Sequence, residues 1–248
     1  MKLQNRPEDL EALKPEYQEY FHAIRERIPA DRVIIDPVRR YAYGVDASLY
    51  SITPQIVVQA RSIDEVSFLV QEAGKRHIAV TFRAAGTSLC GQALTDSVLI
   101  MATEGWQDYH IDDGGAKITL EPGIIGAMAN SYLAPYQRKI GPDPASIKHA
   151  MIGGMAANNA SGMCCGTSDN SYKTVLDLKL VFADGSVLDT ADDTSVRTWS
   201  KAHESIVKEL MAIHDEIAAD PELKELIAHK YKIKNTTGYS LNSFIDFD

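Results

Sequence analysis

The chain has 248 residues, of which 45% are hydrophobic, and this is enough to bury a core of its own. Its formal net charge of −9 and isoelectric point of about 5.3 argue against nucleic-acid binding and against a strongly basic membrane patch. The first residues lack the apolar core of a secretory signal, no run approaches the roughly 18 apolar residues of a membrane span, and three cysteines give no disulfide framework. A reducing cytoplasm is therefore expected.

Residues 1–53 are predicted to form an N-terminal arm. Apolar residues recur at helical spacing from Leu10 to Ile28, with Arg25 and Arg27 near the end, where the helix dipole favours cations. This pattern predicts one helix over residues 8–28. Residues 29–53 read as irregular.

Residues 54–104 are predicted to form a first subdomain with parallel strands. Apolar runs at 56–58, 78–82 and 98–101 indicate three strands. A capping box at 62–65 opens a helix between the first two of them. Strands that alternate with a helix across short connections predict a small parallel sheet.

The second of these strands runs into a loop of small residues, Arg83-Ala84-Ala85-Gly86-Thr87-Ser88-Leu89-Cys90-Gly91-Gln92. Glycines let a backbone approach a ligand closely, and consecutive N–H groups can form a nest for an anion such as a phosphate. The loop lacks the Gly-Lys-Ser/Thr of a Walker A motif and the glycine spacing of the dinucleotide-binding fingerprint. Taken alone, it is equally compatible with an ordinary turn between a strand and a helix.

A second segment rich in small residues covers 141–162. It enters through Pro142 and Pro144 and continues with Gly153-Gly154 into a run of alanine, asparagine, serine and glycine. Such a run forms either a tightly packed seam or a flat surface for a planar ligand. Two loops of this kind in one domain favour a shared, extended ligand.

Residues 105–248 are predicted to form a second, mostly antiparallel subdomain. Hairpin signals occur at 109–120 and at 175–189, where leucines alternate before Ala183-Asp184-Gly185. Helical patterns cover 124–136 and the charged stretch 198–231, the latter as a solvated cover. The whole chain is therefore predicted to be α+β. Cys164 and Cys165 are interpreted as reduced thiols packed beside the second segment.

Four motifs, in this order, carry a family resemblance: RAAGTSLCGQAL, GPDPAS, IGGMAANNASG and VLDLKLVFADGS. They resemble the FAD-binding (PCMH-type) domain of the vanillyl-alcohol-oxidase superfamily, in the branch of D-lactate dehydrogenase, glycolate oxidase and D-2-hydroxyglutarate dehydrogenase. The MCCGT run at 163–167 and the KNTTGYSL run at 234–241 resemble long bacterial proteins that join this domain to an iron–sulfur domain. The resemblance thus implies an N-terminal piece of a longer protein, truncated within its second subdomain, with the cap domain that binds substrate downstream and no turnover by this piece alone.

The resemblance also implies which residues hold the cofactor. The backbone of 84–88 would cradle the pyrophosphate of FAD, with Arg83 adding positive charge, and Gly91 and Gln92 are also expected to bind the cofactor. An arginine at a strand end is as often a surface ion-pair partner. The backbone of Val181 would meet the adenine end. The ribityl chain and the flavin would be lined by Asp143, Ser146, Ile152, Gly153, Gly154, Asn158, Ala160 and Gly162. Some relatives attach the flavin covalently through a histidine where this chain has Thr87, so non-covalent FAD is expected.

By resemblance, the flavin would take a hydride equivalent from a 2-hydroxy acid, with D-lactate favoured over glycolate or D-2-hydroxyglutarate. Electrons would pass to a quinone, a cytochrome or an iron–sulfur domain, and a contact of the full-length protein with the inner membrane face stays open. No catalytic or metal-binding residue is assigned within the chain, and nucleic acid is not an expected partner. The alternative is a flavin-binding module that relays electrons without a substrate of its own.

Overall fold

A computed structural model describes residues 4–233 and 240–247. Its contacts divide the chain into two compact units. Unit 1 contains residues 1–139, 146–154 and 181–186, and unit 2 contains 140–145, 155–180 and 187–248. The sequence-based division at residues 53 and 104 stays a prediction. The first six residues of the run at 234–241 lie outside the described residues.

Unit 1 is built on a four-stranded sheet. Its strands are β1 (Val33–Ile34), β2 (Ile56–Gln59), β3 (Val80–Arg83) and β4 (Val98–Met101), in the order β1-β2-β4-β3. Strand β4 is parallel to both β2 and β3, whereas β1 is antiparallel to β2. The predicted parallel arrangement is confirmed.

The helices of unit 1 pack on this sheet or extend from it: α1 (Pro7–Glu11), α2 (Pro15–Ile24), α3 (Pro37–Ala42), α4 (Ile63–Gly74) and α5 (Gly126–Leu133). The hairpin predicted at 109–120 is present as β5 (Tyr109–Asp112) and β6 (Lys117–Leu120), joined by a short 3-10 turn. Helix α6 (Ile152–Ala157) begins in unit 1 and ends in unit 2.

The core of unit 1 lies between its sheet and two helices. All four residues of β4 are buried, as expected of a central parallel strand with both faces covered. Tyr20 and Ile24 of α2 and Leu69 of α4 are fully buried in the same cluster. Strand β3, whose end carries the small-residue loop, pairs with the buried β4, and its Val80 packs against this cluster.

The prediction of a single helix over residues 8–28 is wrong, because the chain forms two helices there. Helix α1 ends at Glu11, and α2 begins at Pro15. A proline fits the first helical turn but removes a hydrogen-bond donor from a helix interior. The break therefore falls just before Pro15.

The capping box at 62–65 forms only by half. The Ser62 hydroxyl accepts from the backbone N–H of Glu65, as predicted. The Glu65 carboxylate instead accepts from the Arg61 N–H at 2.8 Å and from both terminal nitrogens of Arg32 at 2.6 and 2.7 Å. Because Arg32 is buried, its charge needs a partner, and the Glu65 carboxylate provides one. The carboxylate therefore does not accept from the Ser62 N–H as a complete capping box requires.

We expect Glu65→Gln to lower the free energy of unfolding by about 2 kcal/mol at pH 7, since a charged two-point contact with Arg32 is lost. Hydrogen bonds from Arg32 hold the pKa of Glu65 below its ordinary value of 4.5. The stabilisation is therefore complete above pH 4.5 and fades as the pH falls through the lowered pKa. Urea denaturation of both proteins at pH 7 and at low pH measures this, and a difference that grows on acidification contradicts it.

Unit 2 is mostly helical. It holds α7 (Ser171–Thr174), α8 (Asp193–Ala202), α9 (Glu204–Ala219), α10 (Pro221–Lys230) and α11 (Ser243–Asp246), and three of these form the helical region predicted at 198–231. The second hairpin pairs β7 (Lys179–Val181) with β8 (Val187–Asp189), and its turn residues belong to unit 1. Strand β7 is shorter than the predicted strand, because the leucines at 176 and 178 precede it and lie exposed. Among the described helices, none is long and apolar enough to cross a membrane.

Candidate functional site

The small-residue loop leaves β3 with its backbone donors unused. No backbone N–H group of residues 84–89 donates a hydrogen bond to any described part of the chain. Residues 84–88 are half-buried, so these donors lie at the surface of unit 1 and are accessible. Gly86 and Gly91 have φ angles of +68° and +78°, a backbone conformation that favours glycine. A row of free donors on glycine-dependent backbone is suited to an anion.

Arg83 supplies a positive charge directly beneath this loop. A Cβ added to Gly86 would lie 2.6 Å from Nη2 and 2.8 Å from Cζ of Arg83, so the guanidinium lies against the loop backbone. Its Nη1 donates to the carbonyl of Tyr43 at 3.0 Å, and no described carboxylate forms an ion pair with it. Burial lowers the pKa of the guanidinium, and the nearby Asp46 carboxylate opposes that shift. The reading of Arg83 as a surface ion-pair partner is therefore not supported.

The two hydroxyls of the loop differ. Ser88 Oγ donates to the side-chain oxygen of Gln92 and accepts from the N–H of Cys90, so it shapes the loop itself. Thr87 makes no hydrogen bond with the residues described, and its hydroxyl is available to a ligand. Gln92 thus takes part in loop closure.

A segment that the sequence left irregular supports the loop. Residues 43–50 lie beside it, with the Ala47 N–H donating to the Gly86 carbonyl at 3.1 Å. The ring of Tyr50 lies against Gly91, since a Cβ there would be 3.0 Å from its Cδ2. The turn Asp46-Ala47-Ser48, in which Asp46 accepts from the Ser48 N–H, is a readable signal of local order. It does not indicate which part of the chain the turn contacts.

Four residues predicted to line the ligand lie in unit 1 with the loop: Ser146, Ile152, Gly153 and Gly154. Gly153 has a packing role, because a Cβ there would be 2.6 Å from that of Pro122. Gly154 faces the loop, and its missing Cβ would sit 3.9 Å from the Cβ of Ala84. The structure therefore brings Gly154, in the middle of the second segment, close to Ala84 of the first loop.

Val181 also lies in unit 1, in an apolar groove of about 350 Å³. Phe82, the residue before Arg83, also lines this groove and is 47% exposed. The rest of the lining comes from α4, β3 and the connection between them, with Phe182 and Ala183 beside Val181; these residues are Val70, Ala73, Gly74, Ile78 and Val80. A flat apolar group attached to an anion on the loop would fit this groove.

The other predicted residues belong to unit 2. Asp143 and Gly162 approach so closely that a Cβ on Gly162 would overlap the Asp143 side chain. Asp143 Oδ1 accepts from the Cys165 N–H at 3.2 Å, and the Cys165 sulfur accepts from the Gly162 N–H at 2.9 Å. Cys165 is buried, but Cys164 is exposed, so only one of the two thiols packs as predicted. These contacts give Gly162 a packing role, and its predicted cofactor contact stays a prediction.

Asn158 and Ala160 have different surroundings within unit 2. Asn158 is exposed and makes no hydrogen bond among the described residues. Ala160 is buried, and its carbonyl accepts from the backbone N–H and the hydroxyl of Ser171. Ser161, not predicted as a site residue, buries a hydroxyl without a partner in the described chain. The part of the second segment in unit 2 therefore has an exposed amide at Asn158 and an unpaired buried hydroxyl at Ser161.

No group of three or more histidine, cysteine or acidic residues that could hold a metal occurs among residues 4–233 and 240–247. His149, the histidine nearest a motif, is exposed.

Among curated relatives, the glycolate oxidase subunit GlcD of Escherichia coli K12 is 26% identical, the D-2-hydroxyglutarate dehydrogenase of Pantoea ananatis is 26% identical, and a probable mitochondrial D-lactate dehydrogenase of Danio rerio is 32% identical. The matches cover 69%, 84% and 61% of this chain but only 35%, 21% and 31% of those proteins. The chain therefore spans about a third or less of the length of these relatives.

A solved structure of alkyldihydroxyacetonephosphate synthase has the same fold, with a TM-score of 0.60 at 18% identity over 78% of this chain and 40% of that one. A family model described as "FAD binding domain" matches residues 54–191, which is more than half of the chain. This protein therefore belongs to the FAD-binding domain family.

Proposed function

We propose that the loop at 83–92 holds the pyrophosphate of FAD. The observation that carries this proposal is the row of unused N–H groups at 84–89 above the Arg83 guanidinium. Two negative phosphates fit free donors with a partly desolvated cation beneath them. Gly154, next to Ala84, leaves room beside the loop for the chain that joins the pyrophosphate to the flavin.

The apolar groove beside Phe82 is proposed to take the adenine ring. Phe82 and Val181 line this apolar groove in the same unit as the loop. Phe82 directly precedes Arg83 in the chain, so the groove begins close to the loop. This supports the predicted position of Val181 at the adenine end. The cofactor contacts expected of Asp143, Asn158, Ala160 and Gly162, which lie in unit 2, stay predictions from the family resemblance.

The bound flavin supplies two-electron oxidation, and the chain supplies its position and electrostatic surroundings. We propose that the protein to which this domain belongs oxidises a 2-hydroxy acid to the 2-oxo acid, with D-lactate as the first candidate substrate. The 32% identity to a D-lactate dehydrogenase supports that choice. The match to a D-2-hydroxyglutarate dehydrogenase, which covers 84% of the chain, favours D-2-hydroxyglutarate as the second candidate.

Substrate choice is tested on the longest protein that the gene encodes. Bleaching of the flavin absorbance by D-lactate, glycolate and D-2-hydroxyglutarate is compared under identical conditions. Bleaching by one acid at low concentration identifies the substrate class, and bleaching by none supports the alternative of an electron-relay module.

We expect the chain to bind FAD without a covalent bond, because Thr87 offers a hydroxyl where a histidine would be needed. The chain is incubated with FAD, desalted, and scanned for flavin bands near roughly 375 and 450 nm. Acid precipitation then separates the protein from any flavin that is not covalently attached. Colour left in the supernatant is the expected result, and colour in the pellet contradicts it. A chain that emerges colourless from desalting contradicts the proposed function.

A further inference from the structure

We propose that the segment 43–50, called the brace, is a positioning element that fixes the pyrophosphate loop in its binding conformation. This inference rests on the proposed function of the loop. The brace touches the loop at its beginning, its middle and its end. Its residues need not contact the cofactor themselves.

The first contact fixes the cation. Arg83 Nη1 donates to the Tyr43 carbonyl at 3.0 Å, and this bond turns the guanidinium back beneath Gly86. The Asp46 carboxylate lies near enough to affect the Arg83 pKa electrostatically. Without the brace, nothing else described holds the guanidinium under the loop.

The second contact fixes the orientation of a peptide group. The Ala47 N–H donates to the Gly86 carbonyl at 3.1 Å. Because a carbonyl that points toward the brace leaves the loop's N–H groups free to face the ligand, this single bond supports the donor row. Gly86 has a positive φ, where more than one peptide orientation is accessible, so the bond selects one of them.

The third contact closes the far end of the loop. The Tyr50 ring lies against Gly91, and the Tyr50 N–H donates to Ser48 Oγ within the brace. Tyr50 is 60% exposed, so its ring contributes little to the buried core. The brace therefore acts on the loop more than on the stability of unit 1.

The test measures the affinities of the FAD-free chain for FAD and for ADP, which carries the same pyrophosphate. Ala47→Pro removes the N–H that holds Gly86, and Ala47→Gly retains it. Tyr50→Ala removes the ring that holds Gly91, and Tyr50→Phe retains it. The thermal midpoint of each variant shows whether unit 1 is still folded.

We expect Ala47→Pro to weaken both nucleotides about tenfold and Tyr50→Ala about threefold, as for the loss of single contacts. The two conservative variants should bind within about twofold of the unaltered chain. Equal losses for FAD and ADP locate the effect in the ADP half of the cofactor, which both nucleotides share and which contains the pyrophosphate. Folded Ala47→Pro and Tyr50→Ala chains that bind both nucleotides normally overturn the inference, as does a loss confined to FAD. An unaltered chain that binds neither nucleotide instead refutes the function of the loop itself.

Discussion

Replacement of Gly86 by alanine is expected to weaken FAD binding about 100-fold, through the loss of one or two charge-assisted hydrogen bonds. Gly86 has a φ of +68°, which costs an L-residue about 1–2 kcal/mol. Its new Cβ would also fall 2.6 Å from Arg83 Nη2, so the guanidinium would have to leave its position. Both the donor row and the charge beneath it would change. Titration of the FAD-free variant by flavin fluorescence measures the loss.

Gly114→Ala is the matched control for this prediction. Gly114 has a φ of +61° in the turn between β5 and β6, and a Cβ there meets nothing within 4 Å. This variant carries the same backbone strain without a clash, and we expect normal FAD affinity with a small loss of stability. If both variants lose affinity equally, strain in unit 1 is responsible, and the specific role of Gly86 is refuted.

Truncation of Ile100 is expected to have the largest effect on stability. Ile100→Ala should lower the free energy of unfolding by 2–5 kcal/mol, the usual range for a buried isoleucine. Ile100 is 0% exposed in β4, opposite Val58 on one side and Phe82 on the other. A cavity at this point loosens the strand that carries Phe82 and Arg83, so FAD affinity should also fall.

Fluorescence can report on unit 1 alone. The chain has two tryptophans, Trp106 in unit 1 and Trp199 in unit 2, so a Trp199→Phe background leaves one reporter. Urea denaturation in this background compares Ile100→Ala with Leu49→Ala, which truncates a fully exposed side chain. Leu49→Ala should change stability by less than about 0.5 kcal/mol. An Ile100→Ala effect equally small would mean that the core around β4 is loosely packed.

Local patterns were sufficient to predict the elements that carry the site. The apolar runs of β2 and β4 and the cap at Ser62 are short-range signals, and the parallel sheet follows from their order. The loop after β3 was identifiable as a candidate anion site because such a site requires glycines and small residues. Pro15 also indicates the helix break, but the apolar residues continue at helical spacing across it, and the single-helix prediction followed that spacing.

Contacts between distant parts of the chain were not predictable. Glu65 leaves its capping partner for Arg32, which is 33 residues away, and no local pattern records that choice. Arg83 turns back under Gly86 because Tyr43, 40 residues earlier, offers a carbonyl. The same holds for the brace. Its turn at Asp46 is predictable from the sequence, but its contact with the loop at 83–92 depends on the packing of the sheet.

The β7–β8 hairpin has a consequence for handling the protein. It forms a sheet of two strands, and such a sheet leaves unpaired backbone groups along its outer edges. Leu176 is 69% exposed and Leu178 is 42% exposed just before β7, so apolar side chains accompany those groups. The ion pair between Lys179 and Asp189 places charge on the same strands and opposes strand addition by another molecule. Concentrated solutions should therefore aggregate more readily at high salt, which screens these charges.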